Sequence, residues 1–441
     1  MNCVGRSQRR SMSPRGTVGV AGVGDRGFAA RGPDMRDASH GPSTSPSIGA
    51  LAVMSAGCGI TVGNVYFAQP LLHQISVTLG VPEQVAGYVA VAAQVGYALG
   101  ILLILPLADA VDPRRLVRVL LLLTALSLAG AASSPGIWSL VAASFAVAAT
   151  TVVPQVLIPV ASGLVPPERR GRVIGTLQTG LVLGILLSRT VSGSLAEVTG
   201  SWRAPYVLAA GLTTGLAVVL PRLVPERTAV PHRPCYLQLL GSLLPLLTLG
   251  PLRLSMALGF CVFAAFSAFW ATLSFHLGGP AFGLGPASAG LFGLYGALGA
   301  ILAPMAGRLS DRVGTLVINA AALACVLVSF VLSGWLGASS LVALVVAVNL
   351  LDFGLQSGQV ANQARIFALG DAIRGRLNTL YMVATFGGGA VGSLAGSLAF
   401  EHAGWTGVCC VSLALVCAGA LVLFLSKRAV PAHDEGVRRH G

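Results

Sequence analysis

From residue 49 onward the sequence alternates between long apolar runs and short polar breaks. Twelve runs are bounded at 49–72, 85–108, 116–133, 137–165, 173–196, 204–224, 253–275, 287–307, 315–334, 339–364, 377–400 and 404–426. A helix needs roughly 20 apolar residues to cross a bilayer. The pattern therefore predicts an all-α polytopic membrane protein with twelve transmembrane helices. The fourth and tenth runs are long enough to tilt or to project from the bilayer. Between the sixth and seventh lies a longer link, 225–252, whose "CYLQLLGSLLPLLTL" reads as an interfacial helix. Residues 1–47 are rich in Gly, Arg, Ser and Pro without an apolar period and read as a disordered tail. Met35 and Met54 are alternative starts. The expected division is a tail at 1–47, a six-helix bundle at 48–224, a linker at 225–252, a second six-helix bundle at 253–427 and a tail at 428–441.

Composition agrees with this reading. The 441 residues are 54% hydrophobic and 10% charged, and the mean hydropathy is +0.80. A soluble chain of this length carries about 25% charged residues. The net charge of +13 raises nucleic acid as a partner, but the arginines form short clusters between apolar runs instead of a basic face. Of the 28 basic residues, all but Arg189 and Arg203 fall in the tails, the central link or the loops on one side of the membrane. The positive-inside rule then places both termini in the cytoplasm, with the chain in the cytoplasmic membrane. The eight cysteines show no CxxC or Cys/His spacing, so neither a metal site nor a disulfide framework is indicated. No phosphate-binding, GxSxG or HExxH motif is present, and no cofactor is expected.

The polar residues inside the runs carry the candidate chemistry. In "NLLDFGLQSGQVANQAR", Asn349, Asp352, Gln356, Gln359 and Gln363 are spaced 3, 4, 3 and 4 apart. At 100° per residue they fall within about 80° of arc, one narrow stripe. Counted from the outer end of its run, Asp352 lies about 20 Å deep at 1.5 Å per residue, near the midplane. Ionisable residues at that depth are costly and face a cavity or a partner. Asp352 is thus a candidate proton or cationic-solute site, or else a carboxyl hydrogen-bonded to a neighbouring helix. Arg189 is the basic residue inside a run. Three roles are open to it: holding an anionic group, pairing with Asp352, or snorkelling outward. Depth counting puts it shallower than Asp352. His73 and His276 end the first and seventh runs and read as polar interface residues.

The two halves repeat. "RGRVIGT" (Arg170–Thr176) matches "RGRLNTL" (Arg374–Leu380) at an offset of 204, and "PLADAVDPRR" matches "GRLSDRVG", with Asp109 against Asp311. Two similar six-span halves predict a mid-membrane site at their interface and rocking between two access states. With these motifs the chain resembles a major facilitator superfamily transporter over about residues 50–427. "NVYFAQPLL", "GILLSRTVSG" and "RGRLNTLYMVATFGGGAVGS" are similar to its bacterial drug and sugar efflux branch. Two positions depart from the family pattern. Ala110 stands where an arginine usually follows the loop aspartate, and Val152 stands at an arginine implicated in coupling in proton-coupled relatives.

The resemblance implies that the first, fourth, seventh and tenth spans line a central cavity. Asn64, Tyr66, Gln69, Gln155, Arg189, Trp270, Asp352, Gln356 and Gln359 then become candidate solute-binding residues. Gln155 and Gln359 are equivalents at the repeat offset, whereas the counterpart of Asp352 is Ala148. The resemblance also assigns Asp109, Arg308, Asp311 and Arg312 to a latch between the halves. It implies a monomeric secondary transporter of a small organic solute, drug-like or sugar- or nucleoside-like, working by proton-coupled efflux. A facilitator or importer is the alternative. A membrane-embedded enzyme or sensor is disfavoured, since the sequence shows neither a clustered catalytic set nor a soluble output domain.

Overall fold

The computed structural model describes residues 47–225, 236–297, 299, 309 and 312–428, with the backbone alone given for Asp109, Ala110, Pro167, Lys427 and Arg428. The expected tails lie almost wholly outside these residues. All regular structure among the described residues is helical. Ten helices are long and apolar enough to cross a membrane. One of them, Arg374–Arg428, leaves helical geometry at Ala403 and Gly404 and so covers the eleventh and twelfth expected spans. The described part of the eighth span includes the helix Pro286–Tyr295. The architecture is consistent with twelve transmembrane helices.

Most span ends follow local chemistry. Asp112 caps the third span, Pro113–Ala132, accepting from the Arg114 and Arg115 N–H groups at 3.4 and 3.3 Å, with Pro113 at the first helical position. Gly200, in the left-handed region at φ 66°, closes the fifth span, Pro167–Thr199. The second, sixth, seventh, ninth and tenth spans run Glu83–Ile104, Arg203–Leu223, Gly250–Gly278, Thr315–Trp335 and Leu341–Phe367.

Proline divides two runs that hydropathy reads as continuous. The first run is helical over Ile48–Tyr66, turns through a 3-10 segment at Gln69–Leu71 and resumes as Leu72–Leu79. The fourth is split into Ile137–Thr150 and Val153–Gly163. Pro70 and Pro154 cannot donate an N–H to the helical ladder, so each starts a new segment in place of extending the old one. The central link holds a six-residue helix, Tyr236–Gly241, and a 3-10 segment, Leu244–Thr248, in place of one continuous helix. Pro245 again sits at the second start.

Small residues set the packing within each half. A Cβ on Gly184 would overlap the backbone of Gly59, which brings the fifth span against the first. A Cβ on Gly392 would overlap Ala264, which does the same for the eleventh and seventh. Gly96 of the second span packs in the same way against Ala148 of the fourth, and Gly296, after Pro286–Tyr295, against Asp352 of the tenth; Ala148 and Asp352 are equivalents at the repeat offset of 204. Where one half places a methyl group against glycine, the other places a carboxylate.

Candidate functional site

A cavity of about 1440 Å³ lies between the halves. Pro106, Ala108 and Pro113 from the second–third junction, Gln238 and Ser242 from the link, and Gly375 and Arg376 from the tenth–eleventh junction line its mouth. These are the arginine-bearing junctions, so the cavity opens on the basic-loop face.

The opposite face is closed. Leu71, Leu72 and Ile75 share one buried apolar cluster with Ala271 and Phe275 of the seventh span. A Cβ on Gly278 would meet the imidazole of His73, 2.7 Å from its Cγ. The Thr190 hydroxyl donates to the Gly290 carbonyl at 3.0 Å. The Ala287 N–H, in the first turn of Pro286–Tyr295, donates to Glu197 Oε2 at 2.9 Å. A carboxylate there also complements the positive end of the helix.

At the closed end sits Arg189, 1% exposed. Its Nε–H donates to Gln69 Oε1 at 2.9 Å. Its guanidinium carbon lies 3.7 Å from the Trp270 ring centroid, 5.1 Å from that of Tyr66 and 5.8 Å from that of Phe266. The aromatic faces supply cation–π attraction in a site shielded from water. Nη2 has no hydrogen-bond partner among the described residues.

Asp352 is 6% exposed, and its Oδ2 is likewise buried without a partner. Arg189 and Asp352 both line the cavity and interact through space. They make no ion pair within 4.0 Å. Gly293 and Gly296 explain the approach. A Cβ on Gly293 would lie 3.2 Å from Arg189 Cβ, and one on Gly296 would overlap Asp352 Oδ2. The eighth span thus fits between the fifth and tenth because it presents hydrogen atoms to both charged side chains.

Of the residues singled out from sequence, Tyr66, Gln155, Arg189, Asp352, Gln356 and Gln359 line the cavity, as does Gln363. Gln155 Nε2 donates to Tyr97 at 3.5 Å. Asn349 turns away from the mouth, accepting from the Gly299 N–H at 3.2 Å and donating to Val345 O at 2.8 Å. Asn64, Gln69 and Trp270 are buried outside the lining, and the last two hold Arg189 from behind. Of the latch residues, Arg312 is exposed. The Asp109 side chain, Arg308 and Asp311 lie outside the described residues. Tyr97, Phe263 and Phe386 also form walls. Sequence gave them no prominence, although Tyr97, a polar aromatic inside an apolar run, carries a signal of the same kind as Tyr66.

Two helical halves enclosing a cavity that opens on one face define a membrane transporter. The chain belongs to the Major Facilitator Superfamily, whose description matches residues 50–371. It is 36% identical over 379 residues to the uncharacterized transporter YgaY of Escherichia coli, covering 86% of this chain and 95% of that one. It is 35% identical to the probable transporter SCO4007 of Streptomyces coelicolor, covering 84% and 86%. In three dimensions it is similar to the nucleoside transporter NupG, with a TM-score of 0.68, 14% identity and coverage of 86% and 98%. A bacterial homolog of the human lysosomal transporter Spinster, inward-facing and unoccupied, gives 0.62 and 14%, covering 88% and 98%. At these identities the structural likeness concerns the fold.

Proposed function

We propose that this transporter moves a small organic solute across the cytoplasmic membrane and couples that movement to protons carried by Asp352. The observation that carries the reading is a nearly buried carboxylate on the cavity wall whose Oδ2 has no partner among the described residues. An ionised carboxylate in such a place is costly unless it is paired or neutralised. A proton neutralises it, and alternating access offers that proton to each side in turn.

Outward movement by exchange is the direction that the efflux-branch resemblance supports. A mouth on the basic-loop face suits capture from the cytoplasm, with both termini on that side. Exchange requires that protonation of the carboxylate and solute binding exclude one another. Arg189 favours a second reading, co-transport. It lines the same cavity as Asp352 and packs against the same eighth-span segment. The eighth span brings glycines at 296 and 299, and the same helix brings the neutral Asn349 and Gln356. With Asp352 protonated, the charge of Arg189 is left uncompensated. Proton binding then favours the binding of an anionic group, and the two travel together.

In proteoliposomes, Asp352→Asn is expected to abolish solute-driven pH change while the protein remains folded. Unaltered proton flux in that variant removes Asp352 from the mechanism. In the wild type, the sign of the pH change on solute entry separates exchange from co-transport.

A further inference from the structure

The cradle around Arg189 is specific in what it leaves open. One edge of the guanidinium is occupied, because Nε–H is bound to Gln69. One face is covered by Trp270 at 3.7 Å, and Tyr66 and Phe266 lie within 6 Å. Nη2 is left without a partner among the described residues, in a side chain that is 1% exposed and lines the cavity. A buried donor on a cation retains a strong demand for a charged acceptor. Asp352 does not meet that demand, since the two side chains form no ion pair within 4.0 Å.

We propose that Arg189 is the docking point for a single anionic group of the transported solute, a carboxylate borne on an apolar or aromatic body. Gln69 and Trp270 act as positioning residues that hold the guanidinium at the cavity wall with Nη2 unpaired. The inference rests on the reading of this cavity as the solute site.

Four considerations set the ligand class. A planar carboxylate matches the fork of a guanidinium whose Nε edge is already taken. A doubly charged phosphate would face one arginine with a carboxylate across the cavity, leaving its second charge uncompensated. A cationic solute would be repelled by Arg189, which has no formal counter-charge in contact. Tyr66 and Phe266 beside the arginine, and Tyr97, Phe263 and Phe386 elsewhere on the cavity wall, suit an apolar body.

The test uses three probes on one ring, benzoate, benzamide and benzylamine, each at the same millimolar concentration with the purified full-length protein at neutral pH. The melting temperature is read in detergent. Benzoate is expected to raise it more than the neutral or the cationic probe, and Arg189→Gln is expected to remove that advantage. Because burial makes Arg189→Gln prone to misfolding, Gln69→Glu provides an independent arm. Its carboxylate takes over the Gln69 contact, neutralises the guanidinium internally and is expected to remove the benzoate advantage in a folded protein. Arg189→Lys keeps the charge and is expected to keep part of it.

The proposal is overturned if benzamide or benzylamine stabilises as well as benzoate, or if none of the three shifts the melting temperature. It is also overturned if the benzoate advantage survives both Arg189→Gln and Gln69→Glu. The readout is binding, so it is separable from coupling. Benzoate preference without proton flux contradicts the proton-coupling reading alone, and proton flux without benzoate preference contradicts the anion site alone.

Discussion

The guanidinium of Arg189 stacks on the ring of Trp270 at 3.7 Å, and the two residues come from opposite halves of the molecule. The arginine belongs to the fifth span and the tryptophan to the seventh. The contact lies between the cavity and the closed outer face, so it is made when that face is shut. A desolvated cation–π contact contributes about 2 kcal/mol. Trp270→Leu is therefore expected to shift the protein toward the outward-open state, whereas Trp270→Phe retains a ring and shifts it less. A cysteine placed at buried Ser274 reports the change through faster reaction with an impermeant maleimide added from the outer side. Equal labelling rates for Trp270→Leu and the unmodified pair would show that the contact has no part in closure.

Glu197 accepts from the Ala287 N–H at the start of the eighth-span helix. Removing a charged acceptor from a helix start costs roughly 0.5–2 kcal/mol. Glu197→Gln is expected to speed labelling at Ser274→Cys in the same assay, with little effect on benzoate binding. Slower labelling would contradict a closing role for Glu197.

His73 packs against Gly278, and its Nδ1 is 2.9 Å from Glu83 Oε1. Replacing both residues of the cross-half pair, His73→Cys with Gly278→Cys, puts two thiols where ring and backbone now touch. The expected outcome is a disulfide that holds the outer face shut and stops transport, with activity restored by reductant. Transport at the normal rate in the oxidised protein would show that the cycle does not open this contact.

Gly96 and Gly296, in the second and eighth spans, offer a contrasting pair of glycine substitutions. A Cβ at Gly96 meets Phe145 O and Ala148, while a Cβ at Gly296 meets Asp352 Oδ2. Overpacking at either site costs about 1–3 kcal/mol. Gly96→Ala and Gly296→Ala are expected to lower the melting temperature comparably, but only Gly296→Ala displaces the carboxylate. Transport per folded molecule should fall at least tenfold more in Gly296→Ala. Equal losses would mean that the fit of the eighth span around Asp352 has no functional weight.

The apolar runs made the helical architecture legible, because a bilayer imposes span length directly on sequence. The repeat made the two halves legible. The spacing of Asp352, Gln356, Gln359 and Gln363 placed them on one face, and they do line the cavity together. Breaks at Pro70 and Pro154 were hidden because apolar composition continues through them. The relation of Arg189 to Asp352 was hidden for another reason. Depth counted along separate spans does not say which helices pack together, and the glycines of the eighth span let the fifth and tenth close on it. Gln69 and Trp270 were recognised as polar cavity candidates, but their joint grip on Arg189 depends on the turn after Tyr66 and on contact between halves. Neither has a signature in local sequence.

The account centres on Asp352 as the group that ties solute movement to protons. The most direct measurement compares two modes of transport by Asp352→Asn in proteoliposomes: solute counterflow with no pH gradient, and solute accumulation driven by an imposed one. The account predicts that counterflow persists while gradient-driven accumulation is lost, since the variant still binds and rocks but carries no proton. Accumulation at the wild-type level in Asp352→Asn would contradict it.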